Sequence, residues 1–151
     1  MIKDCDIKIL TELRKNSRQP LTNISKNTDI PVSTVYDRIR ASEKYVIKKH
    51  TSILDFPKIG YSIRAGVLAN FDDQAGFIEF SKNNYNINSV FKMEGDYQFM
   101  IDCIFSRMLD FQLLMKEFEK YGIKEKLAHF ITEEIVRENF VGYDKNGLDE
   151  S

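Results

Sequence analysis

The hydrophobic pattern changes period near residue 61. Before it, apolar positions recur at helical spacing. Cys5, Ile9 and Leu13 fall at i, i+4, i+8 with Leu10 beside them, which predicts a helix from Asp4 to Asn16-Ser17. Asp4 and Asp6 lie at its positive end and Arg14 and Lys15 at its negative end, as the helix dipole favours. Pro20 precedes a short second helix over 21–27, anchored by Leu21 and Ile24, and Asn27-Thr28-Asp29 forms a turn. A third helix starts at Pro31, tolerated in a first turn because its missing N–H has no helical partner there. At 100° per residue Val35 and Ile39 face inward with Val32 near them. Ser33, Thr34, Asp37, Arg40 and Ala41 face out, with Tyr36 and Arg38 on the flanks. Residues 46–55 read as a strand, with Lys48, Lys49 and His50 at a candidate wing; Pro57, unable to donate to a ladder, closes it.

From Tyr61 the period is two. Ile63, Ala65, Val67, Ala69 and Phe71 alternate with Ser62, Arg64, Gly66, Leu68 and Asn70, a strand with one buried face. Asp72-Asp73 caps a helix running to about Asn84. A strand follows from Ile87 to Glu94, then a turn at Gly95-Asp96, then a strand from Phe99 to Phe105. Phe111, Leu114, Met115, Phe118 and Tyr121 mark a helix that Gly122 stops, and a last strand is expected over 127–136. The order βαββαβ predicts a four-stranded antiparallel, ferredoxin-like sheet with both helices on one face. Phe, Met and Ile on the strands' other face call for a second subunit as cover. The fold class is therefore α+β: a winged helix-turn-helix over 1–55, the sheet domain over 56–141, and a polar tail over 142–151.

Charge adds a second asymmetry. The net charge is −1, yet residues 1–55 hold eleven Lys and Arg against seven Asp and Glu, so the remainder is acidic. One module approaches a polyanion and the other does not. No stretch nears the ~18 apolar residues of a membrane span. MIKDCDIKIL lacks the apolar core of a signal peptide, and Cys5 and Cys103 form no CxxC. These features fit a protein of the reducing cytoplasm that does not engage a membrane.

The candidate chemistry lies on the third helix. Its outer face carries short polar groups and an arginine and can enter a major groove ~12 Å wide. Ser33, Thr34, Asp37 and Arg40 are the expected base contacts; Arg38, Lys44, Lys48 and Lys49 the expected phosphate contacts. Asp37 suits cytosine N4, or orients Arg38 or Arg40. His50 and His129 are isolated, with no acidic or cysteine partner at ligand spacing, so no metal and no cofactor is expected. No nucleophile sits beside a base and no glycine loop cradles phosphate, which argues against an enzyme.

The chain resembles the Lrp/AsnC, or feast/famine, transcription regulators from about Ile2 to Val136. The resemblance rests on Asp6, Lys8-Ile9-Leu10, Leu13, Arg18, Ile24 and Lys26. It continues through Ile30, Ser33-Thr34-Val35, Arg38-Ile39, Glu43 and Val46-Ile47, then Asp55, Gly60-Tyr61, Gly95-Asp96-Tyr97, Gly122 and Glu133-Glu134. It implies a homodimer on double-stranded DNA, assembled further into tetramers or octamers. It also implies a C-terminal domain of the RAM type, which holds the subunits together and binds an amino-acid effector beside Gly95, Asp96, Tyr97 and Gln98. Two alternatives accompany it: a regulator working through assembly without ligand, and a tetrapyrrole-modifying enzyme on the same architecture. The sequence departs from the family pattern at Gln98 (usually Asp), Asp29 (Gly), Pro31 (Ser), Ser42 (Leu) and Tyr45 (Gly).

Overall fold

Ile9, Ile24 and Val35, one from each of three short helices, meet almost without exposure to solvent. They come from α1 (Asp4–Lys15), α2 (Leu21–Thr28) and α3 (Val32–Tyr45) of a computed structural model that describes residues 2–139. Leu13, Leu21, Ile30 and Ile39 close this small core. The α2–α3 turn depends on Asp29, whose backbone is left-handed at φ 58°. Asp accepts that conformation more readily than most residues. Two backbone amides, Asp29 and Ile30, donate to the Ser25 carbonyl, while the Ser25 hydroxyl donates to the Ile30 carbonyl at 2.6 Å.

Three expectations fail in this region. Helix α3 begins at Val32, with extended Pro31 as its cap. Val32 points outward at 41% exposure, because Val35 and Ile39 already fill the space between the helices. Residues 46–55 form no strand among the described residues. The amides of Val46 and Ile47 both donate back to the Ser42 carbonyl, at 2.8 and 2.9 Å.

The chain divides at Ile53/Leu54 into two units, and its described part from Val136 onward groups with the first. The grouping changes two residues before the expected 55/56 boundary, and residues 136–139 fall with the first unit. The expected tail over 142–151 lies outside the described residues.

The second unit opens with a 3₁₀ turn, Pro57–Ile59, and continues β1 (Ile63–Phe71), α4 (Gln74–Asn83), β2 (Ile87–Lys92), β3 (Phe99–Phe105), α5 (Met108–Glu119) and β4 (Ile123–Phe130). The sheet order is β2-β3-β1-β4 and every pairing is antiparallel. Ala65, Val67, Ala69 and Phe71 are buried as the period-two pattern predicts; the first three lie opposite Cys103, Ile101 and Phe99 of β3, and Ile63 opposite Phe105. Leu114, Met115 and Phe118 of α5 and Phe77 of α4 complete this core. Phe71 stacks on Phe77 at 4.0 Å between ring centroids, and Phe118 meets both edge-on at 5.5 Å. Such pairs add about 1 kcal/mol each beyond the area they bury. Asp73 caps α4 by accepting the Gly76 amide at 2.9 Å. Gly122 ends the α5 turn at φ 65°, where a Cβ would also lie 2.8 Å from that of Asp72.

β2 ends two residues early, at Lys92. β4 begins four residues before the expected Leu127 and ends at Phe130 instead of Val136. It is an edge strand exposed along nearly its whole length. Its Lys124-Glu125-Lys126 start therefore lacks the apolar alternation that reveals a half-buried strand.

Candidate nucleic-acid interface

Two buried acids on α1 tie the three helices together, Asp6 to α3 and Glu12 to α2. Asp6, 1% exposed, accepts the Lys3 amide at 2.7 Å and so caps α1. The same carboxylate takes two hydrogen bonds from Arg38, through Nε and Nη2. This fork lowers the Asp6 pKa against the opposing effect of burial, with the Lys3 amide adding to it, and raises that of Arg38. Glu12 accepts Lys15 Nζ and Asn27 Nδ2, both at 2.8 Å, tying α1 to the end of α2. Its pKa is lowered, first by Lys15 and then by Asn27.

The Asp6 contact gives Arg38 a partner within the fold. Expected at a phosphate, its guanidinium commits two of three nitrogens to Asp6 and stands only partly in solvent. This contact ties α3 to α1. Sequence reasoning placed Asp6 near the helix dipole and in the family pattern but gave it no partner, since nothing in a linear pattern pairs residues 32 apart.

The other expected contacts separate by exposure. Ser33, Asp37 and Arg40 are exposed, as are Lys44, Lys48 and Lys49; Thr34 is half-buried on the flank shared with Arg38. Asp37 orients neither arginine: Arg38 holds Asp6, and Arg40 lies 3.7 Å from Glu43. His50 is not isolated, because its Nε2 is 3.2 Å from Glu43 Oε1. No cluster of three metal-ligating side chains occurs among the described residues.

At the β2–β3 turn, Gly95 and Asp96 are exposed, and Tyr97 and Gln98 half-buried. The turn is braced against the end of β1. Asn70 Nδ2 donates to the Asp96 carbonyl at 2.9 Å, the Gln98 amide donates to Asn70 Oδ1 at 2.7 Å, and Gln98 Oε1 accepts the Phe71 amide at 3.0 Å. The pairing of β1 with β4 shifts register between Asn70 and Phe71. Gln98 thus has a structural task that the shorter Asp side chain at this position would not reach in the same way.

The sheet face away from α4 and α5 carries one apolar row across all four strands. Phe91 opposes Met100, Met100 opposes Leu68, and Leu68 opposes Leu127. Phe91, Met100 and Leu127 are exposed. Beside the row, Arg64 grips Asp102 through Nε and Nη2 at 2.7 and 2.8 Å and reaches Glu134 through Nη1; Asn88 also donates to Asp102, at 2.8 Å. Asp102, then Glu134, raise the Arg64 pKa against burial. This polar cluster was not singled out by the alternation, which marks a side chain's face and not its partner.

The helix-turn-helix and the sheet unit both have counterparts among known proteins. A family profile described as winged helix-turn-helix DNA-binding matches residues 3–41. An uncharacterized HTH-type transcriptional regulator of Pyrococcus abyssi is 31% identical over 145 residues, which cover 92% of this chain and 93% of that one. Among solved structures, Bacillus subtilis LrpC superposes at a TM-score of 0.80 with 22% identity, over 90% of this chain and 98% of that chain. The transcriptional regulator NMB0573 of Neisseria meningitidis, solved in complex with L-Met, superposes at 0.81 with 19% identity, over 91% and 94%.

Proposed function

The chain belongs to the Lrp/AsnC family of transcriptional regulators, and from that premise we propose that it binds a two-fold DNA operator as a dimer joined through its sheet unit. The observation that carries the reading is the exposed polar face of α3, with Ser33, Asp37 and Arg40 outward and the Asp6–Arg38 fork behind. Two such helices on one dimer reach major grooves about one helical turn apart, or a multiple of it. Lys44, Lys48 and Lys49 supply sequence-independent attraction to phosphate.

The row Phe91–Met100–Leu68–Leu127 supports a second copy as the cover of the open sheet face. A two-fold contact meets the same row on the partner, apolar against apolar. The Neisseria protein was solved with L-Met, and an amino acid of that size is the effector class proposed for the turn Gly95–Gln98. One observation favours the ligand-independent alternative. Gln98 Oε1 is already spent on the Phe71 amide, so the turn is braced with no ligand.

Selection of bound sites from random DNA, with and without an amino-acid pool, tests the reading. Light scattering follows the assembly. A pseudo-palindromic consensus and a dimer at micromolar concentration are expected. Phe91→Glu with Leu127→Glu should give a monomer that has lost the consensus preference. A monomeric wild type that selects the same sites would overturn the dimer, and selection of no consensus would overturn the operator. A rise in melting temperature with one amino acid supports an effector; none across the twenty leaves assembly as the mode of regulation.

A further inference from the structure

Val32 and Tyr36 are apolar side chains on the outside of α3, exposed by 41% and 51%. They lie at i and i+4, with Arg40 at i+8, so the three form one stripe along the helix. That stripe borders the face of Ser33 and Asp37. Tyr45, also exposed, falls on the opposite flank and is no part of it. The core does not need these two residues: Ile9, Ile24 and Val35 are sealed by Leu13, Leu21, Ile30 and Ile39. Burying them against solvent therefore falls to whatever α3 docks on.

The bases present a single apolar group on the floor of the major groove, the 5-methyl of thymine. Apart from small ring C–H edges, the other features there are hydrogen-bond donors or acceptors. We propose that Val32 and Tyr36 read thymine methyl groups, so that each half-site carries thymine beside the bases met by Ser33 and Asp37. This rests on the reading of α3 as the groove-entering helix. Val32 sits in the first turn of α3, the end that reaches base edges in helix-turn-helix docking. Tyr36, one turn on, lays its ring over a methyl while its hydroxyl remains free for a phosphate oxygen. DNA is favoured over a protein partner because the surrounding module has four more basic than acidic side chains, and Lys44 borders the same face.

The test begins with the operator recovered by selection. Duplexes are made with deoxyuridine at each thymine in turn, which removes the methyl and nothing else. At one or two positions per half-site, affinity should fall about fourfold, the worth of burying one such group. Val32→Ala should abolish the response at one position and Tyr36→Ala at another, while Tyr36→Phe keeps it. Melting temperature and salt dependence should be unchanged in all three, because both residues are exposed and uncharged. A tightly bound operator indifferent to deoxyuridine at every thymine would overturn the inference and leave the groove-entering helix standing. A protein that selects no sequence would overturn that helix's role, and the inference with it.

Discussion

The two units of this chain are stabilised by different chemistry. In the sheet unit the main core is twelve buried residues, five of them phenylalanines packed stacked or edge-on. In the helical unit the core cluster has three, Ile9, Ile24 and Val35. The buried polar side chains distribute the other way. Asp6, Glu12 and Ser42, the buried polar residues among those described, all belong to the helical unit. A small module buries too little apolar area to fix three helices by packing alone. Forked and charge-assisted hydrogen bonds supply direction where area is short. The sheet unit should therefore respond to lost volume, and the helical unit to charge and proton activity.

The sharpest way to break this contrast is Phe118→Ala. It should cost the sheet unit about 4 kcal/mol, as large core truncations do. Amide exchange in β1 and β3 should accelerate with little change in α1–α3. Equal loss in both units would show that they unfold as one. Next comes acid. Asp6 and Glu12 have lowered pKa values in the fold, so their stabilisation is present above the ordinary carboxylate range and is lost as pH falls below it. Amides of the helical unit should lose protection below about pH 4 before those of the sheet. Asp6→Asn should lower the melting point at pH 7 and reduce that acid dependence; an unaltered pH profile would remove Asp6 from the account. Smaller again is the effect of Lys48→Ala with Lys49→Ala. DNA affinity should fall for specific and random sequences alike, and the salt slope should flatten by about 2, with no change in either unit's stability. Unchanged affinity would exclude the segment after α3 from the interface. Smallest is Asp29→Gly, which relieves the left-handed turn and should raise stability of the helical unit by up to about 1 kcal/mol, read from its denaturation midpoint.

The same contrast explains what the sequence made legible. β3 was readable to the residue, and β1 to within two residues at its start, because one face of each is buried. α5 was readable because a broad apolar stripe faces the sheet. β4 was misplaced because an exposed edge strand has no such alternation, and the strand expected over 46–55 is absent, its first two amides being turned back to the Ser42 carbonyl. In the candidate interface the outward setting of Ser33, Asp37 and Arg40 followed from helical periodicity. The Asp6–Arg38 fork did not, since a salt bridge across 32 residues leaves no local trace. Val32 was assigned inward by angle alone, and only the packed core showed the space to be taken.

The carbonyl of Ser42 has a consequence for how position 45 can vary. By accepting two successive amides, from Val46 and Ile47, it terminates the recognition helix through backbone geometry. Tyr45 keeps an ordinary helical backbone and Val46 turns the chain at φ −112°. No glycine is required here, and the Tyr45 side chain, 88% exposed, packs against little. A search keyed to glycine at that site would misjudge where the helix ends, whereas the carbonyl's two donors mark it whatever residue stands at 45.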